Sequence, residues 1–308
     1  MNLEVFVLGT GGMMPLPGRG LTSVLLRREG ELFLFDCGEG TQIGLRRLNL
    51  RWKKITAIFI SHTHADHVTG LPGILMLSSQ VDRNEPLFIY GPPKVREFVD
   101  AMRRTLDMYI NYEIVVREVE GGTTIVRGED YAIRTHTLVH TKPCLAYSLE
   151  EDMRPGVFFP EKAQELGVPR GPLWSQLQGG ETVTLPGGTT VRPEQVMGTE
   201  RKGRKFCFAT DTVAAPGLSE FACGADVFIC EGMFAEELAE TAAEKKHLTA
   251  VQAARIAQEA RVKQLGLIHY SPRYSERELK KLLGEAREIF PQTFLTRDLQ
   301  HIDMPFEE

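Results

Sequence analysis

An apolar run over residues 55–60 ends directly in His62-Thr63-His64-Ala65-Asp66-His67, and this junction constrains the fold more than any other feature of the chain. A short apolar run that ends in a polar cluster indicates a buried strand that delivers its loop to a site. His62 and His64 project to the same side of an extended chain because they lie two residues apart. A helix-like pattern begins after His67, so the turn can divide the four side chains between two metal ions. Binuclear sites of this kind hydrolyse esters and phosphodiesters.

Packing alone does not explain this segment. A single histidine after a strand is most often an ordinary loop residue, but here three histidines and one aspartate fall within six positions, and the whole chain has only 8 histidines. Burying unpaired titratable groups costs on the order of a few kcal/mol each. The segment therefore predicts a metal site.

Composition and charge narrow the class of protein. The 308 residues can form one large or two small domains, and the 42% hydrophobic content suffices for a sizeable core. No apolar run approaches the roughly 20 residues that a membrane helix needs, and the amino terminus lacks a basic region, so we expect neither a membrane segment nor a signal peptide. The five cysteines are scattered and form no C-x-x-C pair, so neither a disulfide framework nor a thiolate zinc site is indicated, and we expect a reducing cytoplasm as the setting.

The net charge of −5 argues against a protein that coats nucleic acid generally. Two local basic runs, over residues 46–54 and 201–205, are nevertheless present. Such runs are usually solvated faces, and they gain meaning only if the substrate is a polyanion.

Strand and helix patterns alternate in the first half and in the last third of the chain. They predict an α/β fold, in which helix, sheet, sheet and helix form a four-layer sandwich within a single domain over residues 1–308. Residues 156–203 are rich in glycine and proline and have weak periodicity, so they are predicted to form an inserted flexible arm and not a separately packed domain. The predicted strands cover residues 3–8, 21–26, 32–35, 55–60, 87–90, 112–119, 124–126, 131–136, 204–209, 227–230 and 265–269. The predicted helices cover residues 41–48, 68–79, 95–104, 249–260 and 276–289.

Further metal ligands are expected at the ends of later strands, because two zinc ions need about eight coordination positions in total. His140, Asp211 and His269 each lie at or just beyond a predicted strand, where sheets of this class build their sites. His136 competes with His140, and spacing alone does not separate them. His247 precedes a helix for which Thr249 is a suitable N-cap, so it is either an exposed loop residue or a proton donor that reaches the cleft.

Several motifs together resemble the metallo-β-lactamase fold and, within it, the ribonuclease Z family. The H-x-H-x-D-H pattern is common to many hydrolases of that fold and by itself indicates only the superfamily. The resemblance extends over nearly the whole chain. Four stretches are more specific to the family: Gly70-Leu71-Pro72-Gly73-Ile74-Leu75, Phe35-Asp36-Cys37-Gly38-Glu39-Gly40-Thr41-Gln42, His269-Tyr270-Ser271-Pro272-Arg273-Tyr274 and Gly167-Val168-Pro169-Arg170-Gly171-Pro172-Leu173-Trp174.

The resemblance implies roles for particular residues, with two Zn²⁺ ions per subunit. His62, His64 and His140 would hold one ion, Asp66, His67 and His269 the other, and Asp211 would bridge them. Asp66 would also accept a proton from the attacking water, and His247 would protonate the leaving oxygen. Cys230-Glu231-Gly232-Met233 keeps only the glutamate of the family's H-E-A-T stretch, and Glu231 is predicted to orient His247.

The resemblance also implies the reaction. The substrate would be precursor tRNA, and attack of a metal-bound hydroxide on the phosphodiester would remove the 3′ trailer, leaving a 3′-hydroxyl on the tRNA and a 5′-phosphate on the trailer. The arm over residues 156–203 would bind the tRNA elbow as an exosite, across a cytoplasmic homodimer. In the family, a P-x-K-x-R-N stretch is associated with the 3′ end of the substrate and with rejection of CCA. The corresponding early loop of this chain, Pro15-Leu16-Pro17-Gly18-Arg19-Gly20, lacks the lysine and the asparagine.

Three other interpretations remain at this stage. A small-molecule or cyclic-nucleotide phosphodiesterase of the same fold would share every ligand but would not need the arm. A di-iron redox protein on this scaffold usually has an acidic residue where this chain has His64. A nucleic-acid-binding module without catalysis would have no need of the complete set of ligands.

Overall fold

A computed structural model describes residues 2–81 and 83–306. The chain divides into two compact units: unit 1 is Met1–Glu150 with Lys205–Glu308, and unit 2 is Glu151–Arg204. None of the helices among the described residues combines the length and the apolar character that crossing a bilayer requires.

Strands and helices are numbered separately in chain order. Within the described residues the strands are β1 Leu3–Gly9, β2 Ser23–Arg28, β3 Glu31–Phe35, β4 Ile55–Phe59, β5 Leu87–Gly91, β6 Ile114–Glu118, β7 Thr124–Arg127, β8 Tyr131–Val139, β9 Pro143–Glu151, β10 Val183–Thr184, β11 Thr190–Val191, β12 Lys205–Ala209, β13 Val227–Glu231, β14 Gln264–Ile268, β15 Thr293–Leu295 and β16 His301–Asp303. The α-helices are α1 Thr41–Arg47, α2 Ala65–Val68, α3 Leu71–Ser79, α4 Val95–Thr105, α5 Pro160–Glu165, α6 Pro172–Gln178, α7 Leu218–Ala222, α8 Ala239–Lys245, α9 Ala250–Glu259 and α10 Glu276–Ile289.

Unit 1 contains two seven-stranded mixed sheets. The first has the order β16-β1-β2-β3-β4-β5-β6, and its strands from β3 to β6 are parallel. The second has the order β15-β14-β13-β12-β9-β8-β7, and its strands from β12 to β15 are parallel. Parallel strands end at the same edge of a sheet, so each sheet can collect side chains from several strand ends at one place.

Three apolar clusters hold these layers together. Aromatic side chains fill the space between the two sheets, including Phe33, Phe35, Phe59, Tyr147, Phe206 and Phe208. Buried residues of α1, α3 and α4 pack on the outer face of the first sheet, and those of α9 and α10 pack on the outer face of the second. This arrangement confirms the predicted four-layer sandwich of helix, sheet, sheet and helix.

Several local elements of unit 1 differ from the sequence prediction, and the short elements α7, α8, β15 and β16 were not predicted. The helix predicted over residues 68–79 is two helices, α2 and α3, separated at Thr69 and Gly70. The chain makes a close approach there, since a Cβ at Gly70 would lie 2.2 Å from the carbonyl oxygen of Gly38. Strand β9 was not predicted; its residues Cys144–Ser148 are buried on both faces, so the sequence shows no alternation of polar and apolar positions.

Unit 2 covers the region that the sequence predicted as an arm over residues 156–203. It contains α5, α6 and the hairpin of β10 and β11. These elements surround a small apolar cluster of their own, formed by Ala163, Val168, Leu177, Val183, Val191 and Val196. The indole Nε1 of Trp174 donates to the carbonyl of Val168 at 3.1 Å, and its ring lies 5.2 Å from that of Phe158. The segment therefore has a packed interior in spite of its glycines and prolines, contrary to the prediction that it is not separately packed.

Candidate metal centre

The change from strand to helix after β4 divides the first histidine cluster as the sequence predicted. His64 has an extended backbone (φ −75°, ψ 152°) and is the N-cap residue of α2. His62 and His64 therefore project from extended chain, whereas Asp66 and His67 project from the first turn of a helix. The two pairs face different partners brought by later strands.

One group of side chains, here called the first donor set, consists of His62, His64, His140 and one oxygen of Asp211. Nδ1 of His64 lies 2.8 Å from Nε2 of His62 and 3.2 Å from Nε2 of His140. Oδ2 of Asp211 lies 3.4 Å from His62 Nε2 and 3.5 Å from His140 Nε2. Three imidazole nitrogens and one carboxylate oxygen thus converge on a common point.

The second donor set consists of Asp66, His67, His269 and the other oxygen of Asp211. Nε2 of His67 and Nε2 of His269 are 3.2 Å apart. Oδ2 of Asp66 lies 3.3 Å from His269 Nε2 and 3.5 Å from His67 Nε2. Oδ1 of Asp211 lies 3.1 Å from His269 Nε2 and 3.4 Å from His67 Nε2. Asp211 therefore presents one oxygen to each donor set.

These distances fit zinc. Four ligands placed tetrahedrally at about 2.0–2.1 Å from Zn²⁺ are separated from one another by roughly 3.3–3.4 Å. The separations run from 2.8 to 3.5 Å in the first donor set and from 3.1 to 3.5 Å in the second. Three imidazole nitrogens that face one another cannot all be satisfied by hydrogen bonds among themselves, because a neutral ring offers one donor and one acceptor. A cation resolves this conflict.

A buried carboxylate behind the centre fixes two of the rings. Asp36 Oδ2 accepts hydrogen bonds from His67 Nδ1 and from the hydroxyl of Ser61, each at 2.7 Å. Ser61 Oγ in turn lies 3.0 Å from Nδ1 of His62. With Nδ1 protonated in both rings, Nε2 of His62 and of His67 is free to bind metal.

A backbone carbonyl likewise fixes the orientation of the His140 ring. Its Nδ1 donates to the carbonyl of Lys246 at 2.9 Å, and Nζ of Lys246 donates to the carbonyl of His140 at 3.2 Å. The rival His136 lies elsewhere: its Nε2 contacts the carbonyl of Pro216 at 3.0 Å, and its ring stacks on Phe221. The structure thus brings His140, and not His136, to the donor sets.

The electrostatics of the second donor set favour a positive charge. Burial alone would lower the pKa of His67, but the carboxylates of Asp211 and Asp36 raise it well above its usual value. Burial would raise the pKa of Asp211, but the histidines around it, His269 first, hold this pKa well below its usual value. In the first donor set, burial lowers the pKa of His62 well below its usual value, which favours the neutral form of this ring.

His247 lies beside both donor sets and is held by Glu231. The His247 ring centroid is 5.1 Å from that of His140 and 5.5 Å from that of His269. Its Nδ1 lies 3.1 Å from Oε2 of Glu231, which is fully buried and also accepts from the backbone N–H of Thr212 at 2.5 Å. Burial opposes protonation of His247, but the Glu231 carboxylate outweighs this effect and raises the pKa to about 9.

The loop after β1 over residues 10–13, here called the glycine loop, lies against the second donor set, a placement that the sequence did not identify. The backbone N–H of Met13 donates to Oδ2 of Asp66 at 2.7 Å. A Cβ at Gly12 would lie 2.6 Å from Cε1 of His269, so only glycine fits against that ring. Asp36 and Ser61 were likewise not named as functional residues. The polar Asp36 at the end of an apolar strand was the signal that could have identified it.

Comparisons with known proteins agree with this geometry. A family model described as Anti-Pycsar protein Apyc1 matches residues 3–144, which is less than half of the chain. The chain is 61% identical over 308 residues to the ribonuclease Z of Treponema denticola, with 100% of both chains covered. It is 42% identical over 304 residues to the ribonuclease Z of Methanosarcina acetivorans, with 99% of each covered. The crystal structure of human tRNase Z, short form, matches with a TM-score of 0.72 at 27% identity over 98% of this chain and 100% of that chain.

Proposed function

Because the chain belongs to the ribonuclease Z family, and so is a hydrolytic endoribonuclease of the metallo-β-lactamase fold, we propose that it removes the 3′ trailer from precursor tRNA in a zinc-dependent reaction. The observation that carries the proposal is the pair of donor sets joined by Asp211, together with the full-length identity to ribonuclease Z of other organisms.

The proposed cofactor is two Zn²⁺ ions per subunit. His62, His64 and His140 would hold one ion and Asp66, His67 and His269 the other, with Asp211 between them. A bound pair of such ions acts as a Lewis acid on the phosphodiester and lowers the pKa of water toward neutrality. The nitrogen and oxygen donors of both sets are the ligand types that Zn²⁺ accepts in proteins.

Asp66 and His247 would move the protons. Asp66 Oδ2 accepts a hydrogen bond from the N–H of Met13, and its buried carboxylate would accept a proton from the attacking water. Water adds to phosphorus and the bond from phosphorus to the 3′ oxygen of the tRNA breaks. His247, whose Nδ1 is held by Glu231, would deliver a proton from Nε2 to that oxygen. The products are then a 3′-hydroxyl on the tRNA and a 5′-phosphate on the trailer.

We further propose that unit 2 binds the tRNA and that the active species is a cytoplasmic homodimer. Both proposals rest on the similarity of residues 167–174 to the family's arm and on full-length similarity to ribonuclease Z. Sedimentation of the purified protein tests the second proposal, because a monomer with full activity contradicts it.

The test of the function uses a 5′-labelled precursor tRNA with a 3′ trailer, incubated with purified protein with and without chelator. We expect one cut after the discriminator base that disappears with chelator and in Asp66→Ala. A second precursor that carries CCA reports whether the altered early loop changes the choice of substrate. No cut on either RNA, with rapid hydrolysis of a small phosphodiester, would favour the small-molecule phosphodiesterase.

A variant that replaces residues 156–203 by a short linker separates the same two functions. For the tRNA enzyme, we expect this deletion to abolish cleavage of the precursor and to leave hydrolysis of a small chromogenic diester unchanged. Equal loss of both activities would contradict an RNA-binding role for unit 2.

A further inference from the structure

We propose that Arg19 is a positioning residue that holds His269 in the second donor set, and not a contact to the substrate. The inference rests on the proposed function only in taking the donor sets to bind metal. Three observations carry it: the missing hydrogen-bond partner of His269, the attachment of the segment that follows it, and the contacts of the Arg19 side chain.

His269 lacks the support that the other buried rings have. His62, His67 and His140 each have a partner at Nδ1, namely a hydroxyl, a carboxylate and a backbone carbonyl. Nδ1 of His269 is buried without a hydrogen-bond partner among the described residues. Its backbone is left-handed (φ 61°), which a residue with a side chain adopts only when the surroundings hold it there. The direction of this ring therefore depends on how its backbone is held.

The segment 269–274, here called the strap, is anchored at its beginning by the glycine loop. The N–H of Tyr270 donates to the carbonyl of Thr10 at 3.0 Å, and the N–H of Gly12 donates to the carbonyl of Tyr270 at 3.0 Å. Gly12 is the residue that lies against the His269 ring. The glycine loop and the strap therefore position His269 together.

Arg19 joins these two segments. Its Nη1 donates to the carbonyl of Tyr274, the last residue of the strap, at 3.0 Å. Its Nη2 pairs with Oε1 of Glu276 at 2.8 Å, and its guanidinium lies 5.8 Å from the centre of the Tyr270 ring. The methylene stem runs along Gly11, where a Cβ would come within 3.5 Å of Arg19 Cγ and Cδ.

The Arg19 guanidinium is therefore engaged in contacts within the protein. Arg19 is only 6% exposed, so little of it is left for an RNA phosphate. Its planar fork serves a carbonyl and a carboxylate at once while stacking on an aromatic ring, and a lysine ammonium cannot reproduce this combination. Without Arg19 the strap loses its attachment at Tyr274, and the His269 ring loses part of what fixes its direction.

The experiment compares Arg19→Met with Arg27→Met. Arg27 is a matched control on the same unit, because it forms a bidentate pair with Glu4 at 2.7 Å and lies over the Phe6 ring at 4.8 Å. Zinc affinity of each metal-free protein is measured by competition with a chromophoric chelator, beside its thermal midpoint and the KM and kcat for precursor tRNA. No RNA is needed for the affinity measurement.

We expect Arg19→Met to lower the affinity for one of the two zinc ions by about 10- to 100-fold, as loss of support around a metal ligand typically does. Arg27→Met should lower the affinity for neither ion. Unchanged zinc affinity with a lower thermal midpoint would show a merely structural role and would overturn the proposal. Unchanged affinity with a raised KM would overturn it in favour of a substrate contact.

Arg19→Lys is a second variant that tests the same role of Arg19 if Arg19→Met does not fold. It retains the stem and the charge but loses the fork, so we expect a smaller loss of affinity for the same zinc equivalent; no loss in the folded variant contradicts the proposal. If the wild type binds two equivalents of zinc but does not cut precursor tRNA, the proposed function fails while the role of Arg19 stands.

Discussion

The two donor sets share Asp211 but differ in what surrounds them. The second contains two carboxylates, Asp66 and Asp211, and has the Asp36 carboxylate directly behind His67. The first contains only the shared carboxylate and is supported by neutral groups. His64 is only partly buried there, and its Nε2 lies 3.4 Å from the hydroxyl of Thr141 at the surface.

Because of this difference, we expect the two donor sets to bind metal ions with unequal strength. The carboxylates favour a cation in the second donor set, and their buried, low-dielectric surroundings strengthen this attraction, whereas the first donor set is closer to solvent and has less negative charge. We therefore expect zinc in the first donor set to exchange sooner, and the second to remain filled longer under graded chelation.

The largest effect is expected from Asp211→Ala, which removes the carboxylate that both donor sets use. We predict loss of both zinc ions and a fall in the cleavage rate larger than the roughly 10²–10³-fold that one stabilising donor contributes. Metal analysis and single-turnover cleavage measure this. Asp226→Ala is the control, since Asp226 accepts from the Lys205 backbone N–H at 2.7 Å on the same sheet. Retention of both ions by Asp211→Ala would contradict the bridged arrangement.

Asp36→Asn and Ser61→Ala together compare the support behind the two donor sets. The amide keeps the shape but removes the charge behind His67, so zinc affinity of the second donor set should fall by about 10- to 100-fold. Ser61→Ala removes the hydroxyl behind His62 and should weaken the first donor set by less, because no charge is lost. Chelator competition measures both variants, and the comparison of the donor sets fails if Ser61→Ala has the larger effect.

Glu231→Gln tests the proton donor outside the donor sets. Because the Glu231 carboxylate raises the pKa of His247 to about 9, the wild type should keep a protonated His247 up to alkaline pH. Without that charge the pKa falls, and the alkaline limb of kcat/KM should move down by about 1–3 pH units. The loss of rate is then larger at pH 8 than at pH 6. An unchanged rate and pH profile would remove Glu231 from the mechanism.

The smallest effect is expected from Thr141→Val. The hydroxyl lies 3.4 Å from Nε2 of His64 on an exposed part of the first donor set, so its loss should change zinc affinity by about twofold or less, as surface substitutions usually do. A large loss would mean that the first donor set is as tightly supported as the second.

The residues of the two donor sets could be located from the sequence because local spacing carries that information. An apolar strand followed by H-x-H-x-D-H defines the first cluster, and polar residues at later strand ends supply His140, Asp211 and His269. The support behind the ligands could not be predicted in this way. Asp36 reaches His67 across 31 positions, and Arg19 reaches Tyr274 across 255, so both contacts depend on the topology of the sheets.

The fold was predictable to a similar extent. Strands with clear apolar patterns were found, but β9 was missed because it begins at Pro143 and is buried on both faces. The helix after the histidine cluster was placed too late: the sequence suggests a start near Val68, whereas α2 begins at Ala65 with His64 as its N-cap. A cluster of polar side chains at a helix start hides the periodicity that would identify it.

The proposed activity requires a metal ion in each of the two donor sets for cleavage of precursor tRNA. The most direct test titrates the metal-free protein with zinc and follows cleavage of 5′-labelled precursor at each step. We expect a single cut after the discriminator base, at a rate that rises only as the second equivalent of zinc binds. Full cleavage with one equivalent, or in the presence of excess chelator, would contradict it.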